Sequence, residues 1–311
     1  MASKAYLHAA RSSLAARGAL SRGILAPPDL SGPRARDSVI SLGSTWIGDG
    51  LGVGGSLRWL GSELFFLQGE GRSRGWPGTR VQGAVGWSLD PVTRMASFGA
   101  GVELKGDFRV GPGAIVSSED PGAIPEGWNP EACLGFGRVM DSILSGRPLP
   151  LTGTLPPSDW PLQGSGSDLP ALGLLSGEEI LERAAESGTS GTPTSGSFPS
   201  SGCPGSGDPI LSGHRGDLEL SGGAFCGLLA VEGDLTVHGE ALVQGLILVG
   251  GTLELRGAGR VEGLARVSGS LSVDESGIFR ILGCPALRAL SGIPALQKPI
   301  LLPGGSGFPV H

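Results

Sequence analysis

Four histidines and four cysteines are the residues of this 311-residue chain best suited to chemistry near neutral pH. His8, His214, His238 and His311 are too scattered to suggest a metal cluster, so neither a metal nor a cofactor is expected. Cys133, Cys203, Cys226 and Cys284 show no Cys-x-x-Cys spacing, so a zinc or redox motif of that kind is absent. An even count permits two disulfides in an oxidising compartment, with four free thiols as the alternative. Gly50-Leu51-Gly52-Val53-Gly54-Gly55 has the glycine density of a phosphate loop. It lacks the Lys-Ser/Thr pair and the strand–turn–helix context that such a loop needs. Calcium-binding Gly-Gly-x-Gly-x-Asp repeats do not occur. His238 could serve as a general base only with an orienting partner and a substrate cleft. The sequence names neither, so His238 reads as an exposed turn residue and no catalytic residue is expected.

The elements that would position these residues follow from composition. Glycine takes 57 positions and proline 24, together about 26% of the chain, while charged residues make up 17%. No strict Gly-X-Y period runs through the chain, which excludes collagen. A hydrophobic content of 39% with net charge −6 argues against wholesale disorder. No apolar run approaches the ~18 residues that span a bilayer. Residues 1–36 carry a net +5 and the remainder −11. That weak basic segment lacks aromatic interleaving, and the acidic remainder would repel phosphate, so nucleic acid is not an expected partner.

The glycines have a period. From Gly233 they recur every six residues through Gly239, Gly245, Gly251, Gly257, Gly263 and Gly269. The fifth position of each hexad reads Leu220, Phe225, Val231, Val237, Val243, Val249, Leu255, Val261, Val267, Val273 and Phe279, with one residue missing between Gly222 and Gly227. Eleven apolar residues in eleven such positions would arise by chance roughly three times in 100,000. Positions three and five point to one side of a strand, and position four points away. Three six-residue faces bending at glycine close a triangular coil of 18 residues, and Asp234, Thr252 and Ser270 repeat at that spacing. The predicted fold is mainly β: a short β-solenoid over 216–283, with an N-terminal helix and a loop/helix excursion.

Four further hexads, from Arg94 to Val116, predict another coil on the N-terminal end of the main solenoid, and the alternating Val81–Leu89 run pairs nearby. The expected organisation is a helix and linker over 1–36, a β-rich segment over 37–118, an excursion over 119–215, the main solenoid, and a cap over 284–311. Within the excursion Asn129-Pro130-Glu131 opens a short helix. Ser176-x-x-Glu179 is a capping box for a second helix, ending at Gly188. Twenty of the 23 residues from Ser187 to Pro209 are Ser, Gly, Thr or Pro, a flexible linker. Cys226 and Cys284 are about three coils apart, ~14 Å by strand spacing, beyond the ~7 Å reach of a disulfide. Cys203 with Cys226 is the better pairing, because the excursion rejoins the solenoid there.

The phrases Gly227-Leu-Leu-Ala-Val-Glu-Gly-Asp-Leu-Thr-Val-His-Gly239 and Gly245-Leu-Ile-Leu-Val-Gly-Gly-Thr-Leu-Glu-Leu-Arg-Gly257 resemble the C-terminal part of PilX-type, type IV pilus-associated bacterial proteins. Val102–Gly106, the loop with Trp128 and Cys133, and Gly283-Cys284-Pro-Ala-Leu-Arg-Ala-Leu290 fit the same pattern. The resemblance implies a non-catalytic structural or interaction protein of the cell envelope, extracytoplasmic, with envelope or pilus proteins and itself as partners. It also implies an apolar membrane-anchoring helix. The chain holds only what resembles the polar stretch after that helix, so the expectation is either an anchor missing from the start or a chain that is not pilin-like. Bactofilins, self-polymerising cytoskeletal solenoids, are similar in coil period but lack the excursion. Hexapeptide-repeat acyltransferases share the triangular coil and use a histidine base, which would be His238 here.

Overall fold

The computed structural model describes residues 36–47, 51–61, 63–73, 79–118, 123–125, 127–129, 133, 149–157, 168–187, 196–197, 203, 207–274, 276–298 and 300–302. The helix expected at the N-terminus and most of the one expected from Asn129 lie outside these residues. Strands β1 (Val39–Ile47), β2 (Leu51–Trp59), β3 (Leu64–Ser73) and β4 (Thr79–Trp87) precede helix α1 (Pro91–Ala96). Strands β5 (Val102–Leu104), β6 (Phe108–Val110), β7 (Ile115–Ser118) and β8 (Thr152–Thr154) precede helix α2 (Gly177–Glu186). There follow β9 (Gly196–Ser197), β10 (Ile210–His214), β11 (Leu218–Gly222), β12 (Ala224–Val231), β13 (Leu235–Val237) and β14 (Leu242–Val249). The chain closes with β15 (Leu253–Leu255), β16 (Arg260–Val267), β17 (Leu271–Val273), β18 (Ile278–Ile281), helix α3 (Gly283–Gly292) and β19 (Ile300–Leu301).

The chain divides into two compact units, one of residues 1–90 with 297–311 and one of residues 91–296. In the first, β1-β2-β3-β4-β19 form an antiparallel sheet. Leu57, Trp59, Phe65 and Leu67 make its buried cluster, with Trp59 and Phe65 edge to face at 5.6 Å. Phe65 is paired with Gly86 and its ring fills the space where a Cβ would sit. The expected pairing of the Val81–Leu89 run is therefore within this sheet, not with the solenoid.

The second unit is a β-solenoid of about four turns, as its hexads predict. Strands stack in parallel at 18-residue intervals: Ala224 on Leu242, Leu242 on Arg260, Arg260 on Ile278. Each of β12, β14 and β16 wraps two faces by bending at its glycine, and β13, β15 and β17 make the third. At the bend Gly227, Gly245 and Gly263 stack on one another with φ of +145°, +133° and +155°. A Cβ there would fall on the carbonyl oxygen of the neighbouring coil, so only glycine lets the coils approach to strand spacing. Core-lining Leu229, Val231, Leu235, Val237, Ile247, Val249, Leu253 and Leu255 are fully buried. The missing residue lies where expected. Leu218 and Leu220 pair 17 residues ahead, and the spacing returns to 18 at Ala224, across Gly223 with φ +82°.

Five expectations are corrected. The tract 100–118 stacks on the C-terminal end of the main coils, not the N-terminal one: β5 pairs with the second half of β16, β6 with β17, and β7 with β18. The chain leaves the solenoid at Leu282 to enter α3, and Gly101 takes up the vacated path, its Cα against the Ile281 side chain and its carbonyl accepting from Ala265 N. The first of the four hexads is not a strand but α1, because Pro91 suits the first turn of a helix and gives a strand no donor. Of the segment expected as a cap, helix α3 does not lie across the coil end. α3 packs along the outer side of β12, β14 and β16. The solenoid also starts earlier than residue 216, with β10 on β12, and Gly196–Ser197 of the expected linker pair with β11.

Replacing Gly245 with alanine is expected to destabilise the solenoid by more than about 4 kcal/mol. The same change at Gly61, where a Cβ meets nothing within 4 Å, serves as the control. Urea unfolding followed by far-UV circular dichroism measures both.

Candidate functional site

The 18-residue period puts Cys226, Gln244, Glu262, Arg280 and Ser117 in one stacked column on the outer side of β12, β14, β16, β18 and β7. Such a column would ordinarily face water, yet Cys226, Gln244 and Glu262 are buried. The cover comes from the excursion and α3. Trp128, Cys133, Cys203, Cys226 and Cys284 form one buried cluster against the column.

Buried polar groups here must find partners on one another. Trp128 Nε1 donates to Gln244 Oε1 at 3.0 Å, and Gln244 Nε2 donates to Glu262 Oε2 at 2.8 Å. Glu262 Oε1 accepts from Arg260 at 2.9 Å and lies 3.7 Å from Arg280 Nη1. The Arg288 guanidinium of α3 stands 5.3 Å over the Trp128 ring and donates to Gly207 O. Both carboxylate oxygens of Glu262 are engaged, so the chemistry of the column is recognition between the cover and the coils.

The structure brings Cys203 and Cys226 together as a disulfide, Cα–Cα 5.5 Å, and joins Cys133 to Cys284, Cα–Cα 5.8 Å. The second pairing was not anticipated in the sequence, where Cys133 and Cys284 are 151 residues apart. Cys203 is wholly buried, so the Ser/Gly/Pro stretch around it is anchored at that point.

A second outward column, Ala230, Leu248, Arg266 and Glu103, is buried as well. Arg266 Nε donates to Glu103 Oε2 at 2.8 Å, its other nitrogens reach Ala171 O and Ser97 Oγ, and it lies 4.2 Å over the Phe98 ring. Glu103 Oε1 accepts from Gly99 N at 2.7 Å. This ion pair spans the junction where residues 101–118 take over from the main coils. α2, started by Ser176 accepting from Glu179 N, packs against β10 and β12, with Gly213 leaving room for Ala184.

The third face is the open one, with Glu219, Thr236, Glu254, Ser272 and Arg109 in its outward column. At its corner Asp217 and Asp234 each accept from the backbone N–H of the next coil, and Ser270 Oγ does so from Asp107 N. His238 is half-buried at the opposite end of this face, just past β13, with Nε2 2.9 Å from Glu219 Oε1 one coil away. His214 Nε2 is 2.9 Å from Asp217 O, and His8 and His311 lie outside the described residues. Near the Asp217 corner Glu178 bonds Arg215 and raises its pKa above the ordinary arginine value, first through the hydrogen bond and then through charge. Among the described residues no group of three or more His, Cys, Asp or Glu could hold a metal ion, and no helix is long and apolar enough to cross a membrane.

The chain matches no known family model, no curated protein and no solved structure.

Arg266→Met would leave Glu103 buried without its partner and is expected to cost about 3–5 kcal/mol in urea unfolding. The double variant Glu103→Leu, Arg266→Met should recover most of that loss. Replacing Cys203 and Cys226 together with serine should lower stability by about 2–4 kcal/mol in the same assay.

Proposed function

We propose that the chain is a non-catalytic structural or interaction protein of the bacterial cell envelope, working outside the cytoplasm beside type IV pili. The observation that carries this reading is the pair of disulfides buried in one cluster with Trp128. Disulfides of this kind persist in oxidising compartments and are rare in the cytosol. The resemblance of Gly227–Gly239 and Gly245–Gly257 to PilX-type proteins supplies the pilus association. The side chains of the stapled face engage one another, which suits a rigid scaffold presenting a surface. Envelope or pilus proteins are the partners proposed, with membrane attachment through an anchor helix.

A second reading, acyl transfer with His238 as general base, draws support from Glu219 beside it. It requires acyl-CoA turnover that His238→Ala abolishes.

Fractionation of cells expressing the full gene product, combined with thiol alkylation under denaturing conditions, tests the envelope reading. The expected result is an envelope pool in which none of the four cysteines reacts before reduction. A cytoplasmic pool with four reactive thiols would sink it.

A further inference from the structure

We propose that the C-terminal end of the solenoid is closed by the same end of a second copy, in a two-fold dimer. The column that lines the core through Leu220, Val237, Leu255 and Val273 is fully buried until it reaches Val110, which is 51% exposed. Phe108 and Val116 on the same core lining are half-buried, and the outward-facing Ile115 and Leu151 at this end are exposed as well, at 51% and 39%. At the opposite end Leu211, Leu218, Leu220 and Phe225 are all buried. One end of the core is therefore sealed and the other open. Among the described residues no strand pairs with the outer edges of β6, β7 or β8. An apolar core ending in unpaired strand edges is a template for another chain.

Among the described residues the chain's own continuation does not fill this place. β8 begins a new turn on β5, and Leu155 N still donates to Leu104 O. Pro156 and Pro157 follow at once, and neither has an N–H to extend the ladder across β6.

The shape of the end selects the occupant. Each strand of a coil stands a third of a turn further along the axis than the one before it. The free edges thus form a staircase with β6 lowest, β7 a third higher and β8 a third higher again. A two-fold axis perpendicular to the solenoid and passing through the β7 face sets β7 against its own copy. It also exchanges the other two faces, so β8 meets β6 of the second copy. Two middle steps add up to one high and one low step. All three antiparallel pairs therefore reach strand spacing, ~4.8 Å, at a single separation. An axis through either other face leaves the three gaps unequal. Because the contact is isologous and occupies the one end at which a core side chain is exposed, assembly through it stops at two copies.

Analytical ultracentrifugation of the full chain should show a concentration-dependent monomer–dimer equilibrium and nothing larger. Val110→Lys with Ile115→Lys should weaken it at least about a hundredfold, or ~2.8 kcal/mol, with an unchanged circular dichroism spectrum. Ile115 N donates to Gly277 O, so the alternate amides of Val116 and Ser118 point to the free edge. In the unmodified protein their hydrogen exchange should slow as concentration rises. A monomer at every concentration, growth beyond two copies, or a dimer indifferent to the lysine pair would each overturn the proposal. Should the lysine variant not fold, exchange at Val116 and Ser118 that ignores concentration would do the same.

Discussion

The parallel backbone ladder between successive coils is the constraint on which the rest of this molecule depends. Each strand's N–H and C=O groups find their partners one coil away, so residues must return to the same face every 18 positions. The stacked Gly227, Gly245 and Gly263 are the steric condition for that return. Irregularities survive only at corners. The one-residue deletion is absorbed beside Gly223, and the excursion leaves after Ser118, whose hydroxyl donates to Leu149 O where the chain comes back. A change of length inside a strand would flip the side chains that follow to the wrong side of the wall.

The three faces differ in what covers them, and their sequences differ accordingly. Leu228-Leu229-Ala230-Val231 and Leu246-Ile247-Leu248-Val249 are apolar without alternation because both sides of these strands are buried. Leu235-Thr236-Val237 and Leu253-Glu254-Leu255 alternate because their middle residues meet water. The stapled face lies between these cases, with polar residues outward and yet buried. There Gln244 and Glu262 are tolerable only because Trp128, Arg260 and Arg280 partner them.

This explains how much could be read from the chain. The hexad of glycine and aliphatic residues speaks only of coil interiors, so the solenoid and its missing residue were legible. The capping box at Ser176 was legible because a helix start is a local event. The same 18-residue spacing also links Cys226, Gln244, Glu262 and Arg280. What that column meets depends on Trp128 and the cysteines, which no local pattern ties to it. The place of residues 100–118 was illegible for a related reason. Their hexads fit either end of the stack equally well in phase. The choice falls to long-range terms such as Glu103 with Arg266, 163 residues apart.

Spatial order and chain order therefore disagree, and the disulfides lie where they do. β7 follows β18 in the ladder but precedes it in sequence by more than 150 residues, so no short covalent link holds the final coil to the stack. Cys284 is three residues beyond the end of β18, and Cys133 belongs to the segment that leaves β7. Their bond ties together the two exits from adjacent strands and supplies the missing link. Cys203–Cys226 does the same at the entrance, fixing the segment that leads into β10 to the strand β10 pairs with. Closing a long loop in the unfolded chain removes the entropy that would favour detachment of the tract, on the order of 4–5 kcal/mol for a loop longer than a hundred residues in the chain-entropy model. A coil of three short strands, held by few hydrogen bonds and open on one side, needs that help more than the continuous coils below it.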